Sequence, residues 1–569
     1  MASSGNFPLW SPLFKGTATG SLKRANTRFD GGTNNTCFLT DFAIPVGTKF
    51  YAEVIAKLGS NYYAIFGIAP PTLTLTTYAR TQDNVYGIEQ RTDPSNYKIN
   101  TISNTTVGSL SSSLGDLDTQ VIVYGLAVNR VDDEIKLYFN NTLKYTLSIH
   151  STGEFHFMGC HTGGLNATSI HYNFNGGHDS TGGGDKTAAS NTDENGFGEF
   201  QYSPPNGFLA PCSANLPIDS NIDPAEGSFP KEHCDHGIYS GTGTAQNITG
   251  LNFQPDCVWI SQRSTNTTAN NYQFDSTNGV NKYVQLNTAI TLTDDANTLT
   301  AFNSDGFSIG SDANVNNSTD NYSFVAWKAN GGTTSTNTDG TIASTVQVNQ
   351  SAGFSIVQYN GGNGTVGHGL GKAPKWIIAR PLQSGTLHSV TYHPHQGANQ
   401  TGGELGYLHF GLSQGFSDYN AIWNDTAPSA TVVTVGSAGN VNDSNGIQLM
   451  CWAEIEGYSK MGFYKGNAND DGTYVHCGFR PQVIIIKRAD GTDDWGMYTH
   501  AINDNENDGD SQVQRLDSTN GEQGGTGRAL DFLSNGFKLR TSNATFNSSS
   551  GHYIFIAYGD VPFKYANTF

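Results

Sequence analysis

The stretch Tyr359–Pro381, YNGGNGTVGHGLGKAPKWIIARP, combines a polar, glycine-rich approach with a proline and a short apolar run. The proline is Pro374, and the run is Trp376–Ala379. This pattern predicts a turn followed by a buried β-strand. The glycines Gly362–Gly367 also match G-x-G-x-x-G, but no helix start follows to face a pyrophosphate. We therefore interpret these glycines as turn residues.

The same pattern occurs three times in the chain. Tyr239 leads to Pro255 and an apolar run, and Tyr464 leads to Pro481 and another. From tyrosine to proline the three spacings are 16, 15 and 17 residues. Each copy closes with an Asn- or Ser-rich loop and an apolar strand: Tyr322–Trp327, Ile447–Trp452 and Tyr553–Tyr558. Units of about 100 residues are too long for solenoid or propeller repeats, so we predict three homologous β-domains, each burying its own core.

The composition indicates an all-β protein. Glycine contributes 67 of 569 residues, and only 14% of residues are charged, which is far from the profile of long helices. A net charge of −19 argues against nucleic-acid binding. The sequence contains no run of 18 apolar residues, so it predicts no membrane span. The N-terminus lacks the pattern of a signal peptide. The seven scattered cysteines predict buried free thiols in a reducing cytoplasm rather than a disulfide framework.

The N-terminal third differs from the three copies. Its first 30 residues contain prolines that exclude a helix, and we predict an arm that docks on its own domain or on a neighbouring subunit. Alternating and continuous apolar runs then predict strands, with a hairpin around Asn140–Asn141. The segments GLAVN (125–129), IKLYFNN (135–141), NFNG (173–176) and FQYSPPNGF (200–208) follow in order.

This order of segments resembles the SPRY/B30.2 family. The resemblance implies a bent, concanavalin-like β-sandwich that binds partners through its loops. A glycine-rich insert at 178–198 departs from the usual spacing of the family, and we interpret it as a solvated surface loop.

The predicted fold class is therefore all-β, a chain of β-sandwiches in which an SPRY-like jelly-roll or sandwich precedes three repeated β-sandwich domains. The predicted boundaries are an N-terminal docking arm at 1–30, the SPRY-like sandwich at 31–212, a linker at 213–234, the first repeat at 235–330, a linker at 331–351, the second repeat at 352–457 and the third repeat at 458–569.

A second resemblance covers nearly the whole chain. The phrase YSPPNGFLAPCSANLP (202–217), followed by GFSIVQYNG (353–361) and VGHGLGKAPKWII (366–378), resembles tail-fibre and spike-type virion proteins of bacteriophages. The resemblance implies a virion structural protein assembled in the bacterial host cytoplasm, a homo-oligomer with a trimer favoured. It would contact other tail or capsid proteins through its N-terminal region and attach to a host-surface glycan or protein. A capsid decoration or tail-adaptor protein, and a polysaccharide-degrading spike, remain alternatives.

The catalytic motifs of the sequence have simpler interpretations. Gly306–Gly310 matches G-x-S-x-G, but a nucleophile elbow needs a strand before the serine and a helix after it. The third copy carries Lys538 at the place of the serine, so we predict an ordinary strand. Glycan cleavage needs two carboxyls at a defined separation, and the acidic residues lie mostly in turns such as Asp470–Gly472. We predict no catalytic residue, no cofactor and no enzyme activity.

Three segments could hold a metal ion. His233–His236 offers two histidines, a cysteine and an aspartate, but no second ligand pair has suitable spacing. His393–His395 could form a histidine cluster in an oligomer. Asp504–Asp510 resembles the start of a calcium loop, but Arg515 stands where an EF-hand needs its bidentate glutamate. We predict no metal site.

Aromatic residues in polar loops could stack on sugar rings. The candidates are Tyr407, Tyr419, Trp423, Trp495 and Tyr498, and we expect several of them to lie in the core instead.

Overall fold

The structure is a computed structural model that divides into two compact units, Met1–Pro217 and Ile218–Phe569. The regular structure of the described residues is mostly antiparallel strand in both units, which agrees with the predicted all-β fold. None of the helices in the described part of the chain is long and apolar enough to cross a membrane. The structure describes residues 10–15, 21–23, 28–30, 36–56, 63–71, 73, 82, 84–91, 97–101, 105–110, 122–151, 153–162, 170–173, 191–263, 270–503 and 511–566.

The described residues of the first unit form a sandwich of two sheets. One sheet has the strand order β1-β4-β13-β6-β7-β8-β9, and the other has the order β12-β11-β10-β5-β14-β3-β2. The strands are β1 (Trp10–Lys15), β2 (Ser21–Lys23), β3 (Arg28–Asp30), β4 (Thr36–Ile44), β5 (Lys49–Ala56), β6 (Tyr63–Ala69), β7 (Tyr86–Arg91), β8 (Tyr97–Thr101), β9 (Thr105–Leu110), β10 (Ile122–Asn129), β11 (Glu134–Phe139), β12 (Thr142–Ser148), β13 (Phe155–Thr162) and β14 (Ile170–Asn173).

The hairpin between β11 and β12 shows how the sequence sets this sandwich. Alternate residues of β11 are buried, as expected for a strand with one face on the core. Asn140 and Asn141 both have positive φ, at 45° and 66°, which is the geometry of a tight hairpin turn. The predicted hairpin is confirmed.

The described parts of the predicted arm belong to this sandwich. Strand β1 pairs with β4, and β3 pairs with β14. The arm therefore adds strands to the sheets of its own unit. Of the predicted surface loop at 178–198, residues 178–190 lie outside the described residues.

The prediction that all cysteines are free thiols is wrong for one pair. Cys37 on β4 and Cys160 on β13 occupy directly opposite positions and form a disulfide. Two positions so far apart in sequence become neighbours only through strand pairing, which the spacing of cysteines does not reveal. The other five cysteines are buried, as predicted.

The second unit contains the three copies and short helical connections. The first copy has β15 (Cys234–Ser240), β16 (Gln246–Thr249), β17 (Cys257–Gln262), β18 (Tyr272–Asp275), β19 (Lys282–Gln285), β20 (Thr293–Asp294), β21 (Leu299–Asn303), β22 (Gly306–Ile309), the one-turn helix α1 (Ala313–Asn316) and β23 (Asn321–Trp327). The second has β24 (Ser335–Asn337), β25 (Ser344–Asn349), β26 (Phe354–Tyr359), β27 (Gly364–Gly367), β28 (Trp376–Pro381), β29 (Ser389–Tyr392), β30 (Gly406–Phe410), β31 (Ser417–Asp418), β32 (Val432–Val435) and β33 (Ile447–Trp452). The third has β34 (Ser459–Lys465), β35 (Tyr474–His476), β36 (Phe479–Arg488), β37 (Gly496–Thr499), β38 (Val513–Arg515), β39 (Glu522–Gln523), β40 (Leu530–Leu533), β41 (Gly536–Leu539), the one-turn helix α2 (Ala544–Asn547) and β42 (His552–Pro562). Among the described residues, the 3₁₀ helices are Ser213–Asn215 in the first unit and Ser220–Ile222, Pro224–Glu226, Pro230–Glu232, Ala398–Gln400, Gly403–Leu405, His500–Ile502 and Thr526–Arg528 in the second.

The three copies share one topology. Their main sheets have the orders β15-β23-β17-β18-β19-β20, β26-β33-β28-β29-β30-β31 and β34-β42-β36-β37-β38-β39. In each copy the closing strand lies between the first strand of the repeat and the apolar strand, which follows the proline in the first two copies and contains Pro481 in the third. A small second sheet completes each copy: β16-β22-β21, β27-β32 and β35-β41-β40. The threefold internal repeat predicted from the sequence is confirmed.

The central strands of each copy are buried on both faces. On β17, Val258 and Ile260 face the core of the first copy, whereas Cys257 and Trp259 face a core shared by all three copies. Strand β28 divides in the same way, because Trp376 and Ile378 face the shared core and Ile377 faces the core of the second copy. Burial on both faces explains why these strands appear as continuous apolar runs. The prediction that each copy buries its own core is therefore incomplete.

The predicted linker at 331–351 contains regular structure. It forms β24 and β25, which extend the sheet of the second copy to eight strands. The run Ser344–Asn349 contains the alternating apolar and polar residues of a strand. Because the residues around it are mostly Gly, Thr, Ser and Asn, the sequence predicts a linker instead. By contrast, the other predicted linker, at 213–234, consists mainly of turns and 3₁₀ helices.

Candidate functional site

Among the described residues of the first and third copies, no strands correspond to the hairpin of β24 and β25. It lies beside the end of the first copy, and between them is a groove of about 660 Å³. His233, directly before β15, and residues 328–330 of the first copy line one side of the groove. The second copy contributes parts of β24 and β25, residues 350 and 351, and Gly369. The groove therefore forms where the second copy departs from the internal repeat.

Most of the groove lining is polar and uncharged. Four amide side chains line it, those of Asn330, Asn337, Asn349 and Gln350. Three hydroxyl side chains join them, those of Ser335, Thr336 and Ser351. Such groups donate and accept hydrogen bonds, so the groove presents the chemistry that recognises a polyhydroxylated molecule.

One buried carboxylate fixes the rim of the groove. Asp256 accepts hydrogen bonds from the backbone N–H groups of Ala329, Gly331 and Gly332, at 2.7 to 3.0 Å. Gln347 on β25 accepts from the backbone N–H groups of Asn330 and Gly332. Both side chains are fully buried, so the turn that forms the rim is held from both copies.

His233 forms part of the wall in its neutral state. Its Nδ1 accepts from Asn349 Nδ2 at 3.1 Å, which requires a lone pair on that nitrogen, and its Nε2 then faces Asn221 O at 3.4 Å. Burial lowers the pKa of His233 most, the Asn221 carbonyl opposes this shift, and the ammonium of Lys328 lowers the pKa further. His233 therefore orders the wall rather than carrying a charge at neutral pH.

Lys328 supplies the positive charge of the groove. No carboxylate in the described part of the chain lies within 4.0 Å of its ammonium group, whereas Lys372 nearby pairs with Asp219 at 3.7 Å. The groove lining also contains neither aspartate nor glutamate.

The predicted aromatic candidates separate into core and surface residues. Trp423, Trp495 and Tyr498 are at most 1% exposed, and Trp495 Nε1 donates to His409 O. Tyr419 is 48% exposed, and its ring centroid lies 6.4 Å from that of half-buried Tyr407. These two tyrosines lie on or beside β30 and β31, at the edge of the second sheet opposite to β24. They form a second surface that could contact a sugar ring.

The G-x-S-x-G segment lies in β22, between β16 and β21. Its Ser308 hydroxyl donates to Asn247 Oδ1 and accepts from Asn303 Nδ2. A Cβ at Gly306 would lie 1.9 Å from a backbone oxygen, so this glycine permits close strand approach. In the G-x-G-x-x-G segment, Gly362 has a φ of 125° and Gly364–Gly367 forms β27.

The histidine segments lie at boundaries between copies. His393 and His395 of the second copy have ring centroids 5.7 Å apart, and the ring of His395 lies 4.4 Å from that of Phe463 in the third copy. Within the described ranges, no three His, Cys, Asp or Glu side chains are grouped closely enough to hold a metal ion. The acidic segment 504–510 lies outside the described residues.

The described residues form a multi-domain β-sandwich protein with a groove that has a mostly polar lining. Residues 229–562 match the family described as "Domain of unknown function (DUF7483)", and the chain belongs to this family. No curated protein matches the sequence.

Several solved structures are similar to 29% of the chain. They include the PSpry domain of TRIM65 (12% identity, 92% of that chain covered, TM-score 0.23) and the SPRY domain of human HERC1 (9% identity, 96% covered, TM-score 0.23). A third is the carbohydrate binding module CBM66 from Bacillus subtilis (10% identity, 93% covered, TM-score 0.21). Two of these three are SPRY domains, and the third is a carbohydrate binding module.

Proposed function

We propose that the protein is a non-enzymatic structural subunit of a bacteriophage virion, a tail fibre or spike, that attaches to the host surface by binding a glycan. The phage assignment rests on the resemblance in sequence. The glycan assignment rests on one structural observation: the polar groove that β24 and β25 form against the first copy.

The chemistry of the groove supports a saccharide ligand. A volume of about 660 Å³ falls within the range of about 300–1,000 Å³ for ligand sites, but this lining is more polar than that of sites for apolar ligands. Amide and hydroxyl side chains match the donors and acceptors of sugar hydroxyls. A rigid scaffold that presents a variable element is also a common arrangement for binding sites.

A blocking substitution tests the proposal. Purified wild-type protein should bind glycans extracted from the host envelope, and Ser335→Trp should fill the groove and weaken binding about tenfold or more. Ser304→Trp, at an exposed turn of the first copy, is the matched control and should bind like the wild type. Equal binding by both variants would show that the groove is not the site.

The alternative functions predict other results. A capsid decoration or tail-adaptor protein would bind particles that lack it but would not bind host cells. A polysaccharide-degrading spike would release reducing ends from host glycans, and one Asp or Glu substitution would abolish that release. Electron microscopy of particles labelled at the C-terminus would locate the protein, and its mass in solution would test the proposed trimer.

A further inference from the structure

We propose that the groove selects saccharides that carry a carboxylate, with the ammonium group of Lys328 as the counter-ion. This inference rests on the proposed function, since it names the ligand class of the same groove.

The first support is the distribution of charge. The chain has a net charge of −19, so its surface as a whole repels acidic polymers. The groove is an exception, because its lining contains Lys328 and His233 but no aspartate or glutamate. Two carboxylates outside the lining are hydrogen-bonded to it: buried Asp256 accepts from Ala329 N–H, and exposed Asp339 accepts from Asn337 Nδ2 at 2.9 Å. Within the lining itself, an acidic ligand meets a positive charge and no negative one.

The second support is that Lys328 is positioned but unpaired. Its backbone N–H donates to His233 O, and its backbone O accepts from Asn349 Nδ2, so both copies hold the main chain. The side chain is half-buried, and no carboxylate among the described residues lies within 4.0 Å of its ammonium. An ammonium without a counter-ion in a partly desolvated site gains most from an anionic ligand.

The third support concerns the kind of anion. The other ionisable side chain, His233, uses both ring nitrogens, one toward Asn349 and one toward Asn221 O. The groove thus offers one unit of positive charge, which matches the single charge of a carboxylate better than the charge of about −1.5 to −2 that a phosphate monoester carries at pH 7. Asn330, Asn337 and Gln350 each donate one amide N–H within the protein, to Thr333 O, Asp339 Oδ2 and Gly369 O. The second N–H of each amide and the hydroxyls of the lining are left for the neutral hydroxyl groups of the sugar.

The test compares matched saccharides on the full chain. Oligogalacturonides and their carboxyl-reduced forms share linkage and size and differ only in charge, and calorimetry at low and moderate salt would measure both. We expect the acidic form to bind about tenfold or more tightly, and the difference to shrink as salt increases. Lys328→Met should remove the difference, and Lys328→Arg should retain most of it. Lys465→Met, which removes an exposed lysine of the third copy, should behave like the wild type.

The outcomes separate this inference from the proposed function. Equal binding of acidic and reduced forms, blocked by Ser335→Trp, would overturn the carboxylate preference and leave glycan binding intact. Tighter binding of phosphorylated or sulfated saccharides would also overturn it. If neither these saccharides nor host glycans bind the folded wild type, both proposals fail. Thermal melting of each variant confirms that a loss of binding is not a loss of folding.

Discussion

Arg380 and Lys487 occupy equivalent positions in the second and third copies, and each donates a hydrogen bond to a backbone carbonyl of the preceding copy. Arg380 Nη2 lies 2.5 Å from Gln285 O, and Lys487 Nζ lies 3.0 Å from Ser413 O. Both side chains are almost fully buried. The third boundary, between the third and first copies, instead uses the ion pair of Arg263 and Glu522. Cationic side chains, two of them buried, thus join the three copies in a closed series of contacts.

Lys487 provides a direct test of these boundaries. Its ammonium also donates to the carbonyls of Arg488, Gly491 and Asp493, so Lys487→Met should leave several buried acceptors unpaired. We expect a loss of about 2–4 kcal/mol in the free energy of unfolding. Urea denaturation measures it, with Lys465→Met as the exposed control. A loss below about 0.5 kcal/mol would show that the cation is dispensable.

The shared core predicts that one copy cannot fold alone. Residues 235–330 in isolation would expose Trp259 and Trp327, which contact aromatic residues of the second and third copies in the intact unit. We expect this fragment to lack cooperative unfolding and dispersed amide resonances, whereas residues 218–569 should unfold in one transition. A well-folded fragment would contradict the importance of the shared core.

Substitution in the shared core should affect all three copies together. Trp259→Ala removes a fully buried ring that packs on Trp327, Trp376 and Trp452. The expected cost is about 3–5 kcal/mol. Backbone amide hydrogens should exchange faster in all three copies, and not only in the first copy. Protection that falls in the first copy alone would show that the copies open independently.

Histidines at the boundary of the first and third copies predict acid sensitivity. Burial, then His500 and Lys231, lower the pKa of His236 to about 3. Burial lowers the pKa of His500 to about 4, with Asp560 opposing and Arg480 contributing. An unfolded histidine has a pKa near 6.5, so the unfolded chain binds these protons more readily. Stability should fall as the pH decreases from about 6.5 toward 4, by on the order of 3 kcal/mol for each histidine.

The midpoint of thermal unfolding against pH measures this effect. The double variant His236→Asn, His500→Gln should flatten the profile between pH 6.5 and 4. An unchanged slope in the double variant would assign the acid sensitivity to other groups.

The disulfide predicts a count of reactive thiols. Denatured but unreduced protein should take up five alkyl groups, and reduced protein should take up seven. Mass spectrometry distinguishes the two. Such a bond persists in an oxidising medium. Seven alkyl groups without reduction would restore the prediction of free thiols.

Much of the fold follows from local sequence. The apolar run Trp376–Ala379, with its two counterparts, determined the number and order of the central strands. Asn140 and Asn141 determined the position of a hairpin, because asparagine tolerates positive φ. The aromatic residues in polar loops could be proposed from the sequence as candidates for stacking on sugar rings. The burial of Trp423 and Trp495 could not be predicted, because it depends on which loops pack over them.

The sequence by itself determined an all-β chain with a threefold repeat, since turn residues and apolar runs act within a few residues of one another. The tertiary structure alone decided that the faces carrying Trp259 and Trp376 meet in one core, since an apolar residue does not specify its partner. It also decided that Cys37 meets Cys160 and that the supposed linker closes a groove around Lys328. Each of these depends on contacts between segments distant in sequence, whose packing only the folded chain establishes.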